Sequence, residues 1–269
     1  MKNIEGTKVA FVGAGNLATN LAKAMYRKGF RIVQVYSRTE ESARALATSV
    51  EAEWTNQLSE LTTRAELYIV ALKDTVLPDL LSQLTAQREH ALFVHTAGSV
   101  SMDVWKTSTA QRYGVFYPLQ TFSKEREVDF EQIPFFIEAA TTQDVELLSA
   151  VAKTMSRNVY NATSKQRKSL HLAAVFACNF TNHLYAIASD VLAENELPFN
   201  ALLPLIDETA AKVHHLAPKQ AQTGPAIRYD ENVINTHLQM LAAHPDKQQV
   251  YRLLSESIHR YAEAVTPKE

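Results

Sequence analysis

The sequence predicts an α/β fold in two parts, a mostly parallel sheet followed by an all-α domain, and three observations predict it. Apolar runs of strand length alternate with helical patterns up to Tyr160, as in a sheet covered by helices on both faces. The first of these runs, Lys8 to Val12, opens into the turn Gly13-Ala14-Gly15-Asn16-Leu17-Ala18 and then into a helix. Beyond Tyr160 glycine nearly vanishes, Gly224 being the only one of seven left, and long helical patterns take over. The reading divides the chain into residues 1–160 and residues 161–269.

The glycine turn says most about function. A strand, a Gly-x-Gly-x-x-Ala turn and a helix, here Asn16 to Lys28, form the dinucleotide-binding entry of a Rossmann-type fold. The first glycine permits the tight turn, the second lets backbone approach a pyrophosphate, and Ala18 lets helix and strand pack closely. The helix N-terminus attracts the anion. The next strand, Arg31 to Tyr36, ends in Ser37-Arg38-Thr39 with no carboxylate for a ribose 2′-hydroxyl. A guanidinium can pair bidentately with a 2′-phosphate, and the two hydroxyls add donors, so NADP(H) is expected over NAD(H). The alternative is that Arg38 is only a solvated surface arginine.

The remaining elements follow in order. Glu40 to Val50 reads as a helix, Ala52 to Trp54 as a short extended segment, and Leu67 to Leu72 as a strand ending at Lys73-Asp74. Leu77 to Leu84 is a helix that tolerates Pro78 in its first turn. Ala91 to His95 is a strand opening into Thr96-Ala97-Gly98-Ser99. Tyr113 to Tyr117 and Pro134 to Glu138 are strands, and Val145 to Met155 a helix. Loops at strand carboxyl ends bind ligands in open α/β sheets, so Leu72, Lys73, Thr96, Ala97 and Gly98 are expected to flank the cofactor, and Gln120 the substrate. His95 reads more readily as a strand-end histidine than as a catalytic one.

In the second part, Lys165 to Glu194 reads as one continuous helix, longer than usual and suited to a bundle or dimer spine. At 100° per residue Lys168, His171, Val175, Asn179 and Asn182 fall within an arc of roughly 80°. Leu170, Ala173, Phe176, Ala177, Phe180, Leu184 and Ile187 lie on another face. A polar line in an apolar helix needs partners. In a cleft against the nucleotide domain, His171 could deliver a proton to a carbonyl or imine and Asn179 could orient the substrate. Structural hydrogen bonds between helices would explain the same stripe. Ala201 to Leu216 is the next helix, Pro218 to Arg228 a loop, and Asp230 to Ala243 and Asp246 to Val265 the closing helices. In the loop Gly224-Pro225 fixes a bend, and Asp230 suits an N-cap. Arg228 suits a carboxylate, or alternatively an ion pair with Asp230. Lys168, Asn182, Thr223 and Arg228 join Gln120 as candidate substrate-binding residues, with His171 and Asn179 as the catalytic candidates.

A net charge of −2 gives no concentrated basic face for nucleic acid. The single Cys178 allows no internal disulfide and suits a reducing compartment. The stretch from Leu170 to Ile187 is interrupted by Asn179, Asn182 and His183 and makes a poor membrane span. No leader is visible, so a cytoplasmic protein is expected. No metal site is expected: His214-His215 has no ligand spacing, and no His-Glu-x-x-His occurs.

These residues resemble a known group over nearly the whole chain. Gly13 to Ala18, Ser37-Arg38, His95 to Ser99 and Tyr117-Pro118-Leu119-Gln120-Thr121-Phe122 look like the Rossmann-like NADP oxidoreductases. Leu170 to Val175 through Asn179, and Thr223 to Ala226 through Asp230 and His237, look like the helical domain of unknown function that accompanies them. The group is similar in plan to pyrroline-5-carboxylate reductase, ketopantoate reductase and the deazaflavin-dependent NADP oxidoreductases. The resemblance implies an NADP-binding domain, a helical dimerisation domain and an active cleft between them. One departure matters. The β-hydroxyacid dehydrogenase and ketopantoate reductase relatives carry a catalytic Lys-x-x-x-Asn, whereas Lys168 here is followed four residues later by Leu172. The lysine mechanism does not carry over, and His171 is the substitute. The expectation is therefore an NADP(H)-dependent oxidoreductase acting on a C=O or C=N bond of a small anionic metabolite. A non-catalytic NADP-binding sensor or scaffold dimer is the alternative, and a deazaflavin:NADP oxidoreductase a third reading.

Overall fold

The structure is a computed structural model that describes residues 6–263, and the chain divides after Cys178 into two compact units. The first unit is built on an eight-stranded sheet in the order β3-β2-β1-β4-β5-β6-β7-β8. Its strands are β1 (Lys8–Val12), β2 (Arg31–Tyr36), β3 (Glu53–Thr55), β4 (Leu67–Val70), β5 (Leu92–His95), β6 (Arg112–Pro118), β7 (Phe135–Ala139) and β8 (Val159–Asn161). Every pairing is parallel except β6 with β7. The order reverses between β1 and β4, which makes the end of β1 the switch point where ligands bind.

Four helices cover the sheet: α1 (Asn16–Arg27), α2 (Glu40–Ser49), α3 (Leu77–Thr85) and α4 (Thr142–Lys153). The central strands β1, β4 and β5 are buried on both faces, and their side chains alternate between two cores. Val9 and Phe11 enter the core that contains Ala18, Leu21 and Met25 of α1, whereas Ala10 and Val12 enter the one that contains Leu77, Leu81 and Trp105. β8 falls where the sequence showed no strand signal. Its three residues are held by pairing to β7, not by an apolar pattern of their own. β4 stops at Val70, two residues short of the expected end, and the Ala71 carbonyl then lies against Gly13.

The register sets the site. Val12 pairs with Tyr36 and Val70, Val70 with His95, and His95 with Val115. The loops beginning at Gly13, Ser37, Ala71 and Thr96 therefore leave the sheet at one level, and β6 runs three residues further, to Pro118.

The expected single long helix is a run of three helical pieces: α5 (Ser164–Ala174), a π-helical turn (Val175–Phe180) and α6 (Thr181–Ala193). The π turn, with i→i+5 hydrogen bonding, breaks the uniform 100° step on which the polar stripe was drawn. A full capping box starts α5: Thr163 accepts from the backbone of Gln166, whose side chain accepts from Thr163 N–H.

The second unit holds α6, α7 (Leu203–Lys212), α8 (Pro218–Ala221), α9 (Pro225–Arg228), α10 (Glu231–Met240) and α11 (Pro245–Glu263). Pro218 to Arg228, expected as a loop, forms the two short helices α8 and α9, each with proline in its first turn, where the missing N–H costs nothing. The expected end of the last helix, Val265, lies outside the described residues. Lys247 of α11 pairs with Asp190 and Glu194 of α6, each at 3.2 Å, and His237 of α10 is 2.8 Å from the Tyr251 hydroxyl of α11. No helix of the described residues is long and apolar enough to cross a membrane.

Candidate cofactor and active site

The two glycines of the turn have different jobs. Gly13 has φ +115°, and a Cβ there would lie 2.3 Å from the Ala71 carbonyl oxygen. Its own N–H donates to Tyr36 O at 2.8 Å. The fold itself demands this glycine. Gly15 has φ −79°, open to any residue, and a Cβ there would meet nothing within 4 Å. The protein has no packing reason for a glycine at this position, so the empty volume in front of it is what the residue preserves. Gly15 is also the N-cap of α1, with no side-chain cap and no acidic residue in the first turn. The first-turn N–H groups are left to an anion.

Ala14 and Ala18 are buried and Leu17 is half-buried, so these three fix the turn from behind. The Asn16 side chain donates to Phe122 O at 3.1 Å, and Asn20 donates to Ser123 O at 2.8 Å, which ties the loop after β6 to α1. Asn16 thus offers its backbone, not its amide, to a ligand. The Leu72 side chain packs behind Gly13, and Lys73 is exposed on the same edge.

At the end of β2, Ser37 is half-buried, and Arg38 and Thr39 are exposed. Glu40, the first carboxylate after β2, is taken by Arg44 at 2.7 Å. Arg38 makes no ion pair or hydrogen bond among the described residues. The set consists of a glycine that keeps space clear, an uncapped helix start, and an unpaired guanidinium with two hydroxyls. It fits a dinucleotide.

The loop after β5 is held from below. Thr96 and Gly98 are buried and Ala97 half-buried. Arg167 of α5 is fully buried; its Nε donates to Ala97 O at 3.2 Å, and its Nη2 donates to Val100 O. Its Nη1 pairs with Glu138 of β7 at 2.5 Å, and Glu138 also accepts from the Ser164 N–H and hydroxyl, at 2.9 and 2.7 Å. Ser99 donates its hydroxyl to Asp74, linking the loops after β4 and β5. Sequence reading missed Arg167 and Glu138, since neither stands in a pattern that announces burial.

His95 is structural. Its ring is fully buried against Trp105, Nδ1 accepts the Ala97 N–H at 3.2 Å, and Nε2 has no partner among the described residues. Burial, with a smaller push from Arg167, lowers its pKa to about 3, so it stays neutral.

His171 lies on α5, half-buried beside this loop, with Nδ1 3.2 Å from the Tyr117 hydroxyl. Lys168, one turn earlier, is exposed and unpaired among the described residues. Gln120 is exposed; its Oε1 accepts from Thr121 N–H at 2.8 Å, leaving its NH₂ group open. Asn179, Asn182, Thr223 and Arg228 are exposed residues of the second unit. Asp230 caps α10 by accepting from Val233 N–H at 3.4 Å, and Arg228 forms no ion pair with it or with any other described residue. No group of His, Cys, Asp and Glu able to hold a metal occurs among the described residues.

Residues 8–98 match the family described as NADP oxidoreductase, coenzyme F420-dependent, and residues 133–258 match the domain of unknown function DUF2520. The crystal structure of a putative NADP oxidoreductase from Bacteroides fragilis is similar at 64% identity. It covers 96% of this chain and 100% of its own, with a TM-score of 0.93. Two distant structures share the fold. Pyrroline carboxylate reductase from Plasmodium falciparum, with NADP bound, is 12% identical over 97% of this chain and 100% of its own, TM-score 0.62. An imine reductase from Myxococcus stipitatus, in complex with NADP+, is 16% identical over 96% and 94%, TM-score 0.63. A comparison with curated proteins gives no match. With 64% identity sustained along nearly its full length, the chain belongs to the family of NADP oxidoreductases that join this Rossmann domain to a DUF2520 domain.

Proposed function

We propose that the protein is an NADPH-dependent reductase of a C=O or C=N bond in a small anionic metabolite. The observation that carries the cofactor choice is Arg38, exposed and unpaired at the end of β2 where no carboxylate stands. Gly13 to Ala18 would hold the pyrophosphate and Ser37, Arg38 and Thr39 the 2′-phosphate. Leu72, Lys73 and Thr96 to Gly98 would flank the remainder. Bound NADPH supplies a hydride to the electrophilic carbon. His171, as imidazolium, gives its Nε2 proton to the oxygen or nitrogen that receives the π electrons, and solvent then recharges it. Asn179 orients that atom, and Lys168, Asn182, Thr223, Gln120 and Arg228 hold the substrate's polar and anionic groups.

Titration with NADPH and NADH, followed by nicotinamide fluorescence, tests this. NADPH should bind more tightly, and R38A should weaken NADPH by about 10- to 100-fold while leaving NADH unchanged, the value of a charge-assisted phosphate contact. Equal affinities in the parent protein would refute the NADP preference. NADPH oxidation is then screened with 2-keto acids and cyclic imino acids, and H171N should lose rate while keeping NADPH affinity. The coenzyme F420 family match favours a second donor, so reduced deazaflavin with NADP+ forms a separate arm.

We further propose a homodimer through the helical region. Leu172, Leu205, Met240 and Leu253 are 59–68% exposed in the single chain, which is costly for apolar side chains left in water. Sedimentation analysis that found only monomer at micromolar concentration would overturn it. The same reading puts the protein in the cytoplasm, where the exposed Cys178 stays reduced.

A further inference from the structure

Tyr117 lies one residue from the end of β6, where that strand outruns β5 while still paired to β7, and is buried. Its hydroxyl faces His171 Nδ1 at 3.2 Å, and the two rings meet edge-on with centroids 6.4 Å apart. The β5 loop crosses the pair as bare backbone. A Cβ on Gly98 would lie 2.7 Å from His171 Nδ1 and 2.8 Å from both the Tyr117 Cζ and hydroxyl oxygen. Gly98 has no positive φ to account for it, so close approach to this pair is its reason. One ring nitrogen of His171 is thereby committed, while Nε2 has no hydrogen bond among the described residues.

We propose that Tyr117 is a positioning residue for the reduction, its hydroxyl holding His171 by Nδ1 so that Nε2 is the one ring atom that exchanges a proton with substrate. This rests on the reading of His171 as proton donor. A phenol suits the task because it accepts from Nδ1–H of the imidazolium and donates to a bare Nδ1, turning only its own hydrogen. In the step, the Nε2–H bond breaks and its proton joins the oxygen or nitrogen as hydride adds to carbon. The proton on Nδ1 stays, donated to the phenol oxygen, and solvent returns a proton to Nε2.

Burial pushes the Tyr117 phenol up, Arg167 opposes this and Asp74 adds to it, so the hydroxyl keeps its proton. The other charged or titratable groups nearby are Glu138 on β7, paired to Arg167, neutral His95 at the end of β5, and Lys168 on α5.

The test is Y117F. In the cofactor-free protein, the ¹⁵N resonance of His171 Nδ1 should move. In the NADPH-oxidation assay kcat should fall about tenfold with the KM for NADPH unchanged, the effect of one lost hydrogen bond on alignment. In an H171N background Y117F should cause no further loss, because the phenol acts only through the imidazole. An unmoved Nδ1 resonance, or losses that multiply in the double variant, overturns the proposal. Undiminished kcat in H171N overturns the proton-donor reading and this proposal with it. That failure is recognisable because Nδ1 would still respond to Y117F.

Discussion

Substituting the two glycines of the first turn separately should split folding from cofactor binding. In G15A the backbone needs no change, since φ −79° is ordinary and the new methyl meets no protein atom within 4 Å. An alanine N-cap is worse than glycine by about 0.5–1 kcal/mol, and the stiffer unfolded chain returns about 0.4–1 kcal/mol, so net stability should change by less than about 0.5 kcal/mol. NADPH affinity should nonetheless drop by about 10- to 100-fold, because the methyl fills the volume a phosphate needs. G13A should behave oppositely. Holding alanine at φ +115° costs about 1–3 kcal/mol, and a methyl placed 2.3 Å from a backbone oxygen costs about as much again, giving about 2–6 kcal/mol. That is a large share of the roughly 5–15 kcal/mol that holds a typical domain together. Urea unfolding of the two variants measures stability, and NADPH fluorescence titration measures binding. If G15A bound NADPH as tightly as the parent, the pyrophosphate would not lie at this turn. If G13A unfolded at the parental urea midpoint, the packing of Gly13 on Ala71 would be wrong.

Three further outcomes follow from the same geometry. His95 is buried neutral with its pKa near 3, against 6.5 in the unfolded chain, so the unfolded state binds the extra proton between those values. Stability should fall as pH drops below about 6.5, by about 2 kcal/mol at pH 5, and H95F should flatten that slope in urea titrations at a series of pH values. G98A forces Tyr117 or His171 aside and should lower kcat at least tenfold at a stability cost of about 1–3 kcal/mol, read by turnover and thermal melting. R167M strands Glu138 beside the β5 loop and should cost about 3–5 kcal/mol, whereas R167M/E138L should recover part of that stability without restoring turnover, since Ala97 and Val100 stay untethered.

The parts legible in the sequence are those where local pattern and final environment agree. The Gly13 to Ala18 turn could be read because each residue type answers a local demand: a positive φ, an open approach, or a close helix–strand contact. The buried strands could be read because a parallel sheet covered on both faces requires continuous apolar runs. β8 could not, since Val159-Tyr160-Asn161 is extended only because β7 offers it a ladder. Nor could the π turn at Val175–Phe180, whose residues are ordinary helix residues and whose extra backbone step leaves no compositional mark. His171 was reached by a periodicity that the π turn interrupts just beyond it. Its position stands because α5 is regular from Ser164 through Ala174, while the placement of Asn179 and Asn182 no longer follows from a uniform 100° step and rests on their proposed roles alone.

The sheet edge also explains why the residues beneath the site stayed hidden. Glu138 lies opposite Val115 across the antiparallel pair, and Val115 lies opposite His95, so a half-buried carboxylate sits level with the edge where the cofactor loops begin. A lone carboxylate there would be costly, and Arg167 from α5 answers it, spending its other donors on Ala97 and Val100. The same helix brings His171 one turn later onto Tyr117, which the overrun of β6 carries past the edge. The ion pair, the loop and the candidate proton donor therefore form one mechanical unit fixed by strand register. A change at Glu138 should move His171 as surely as a change at Tyr117.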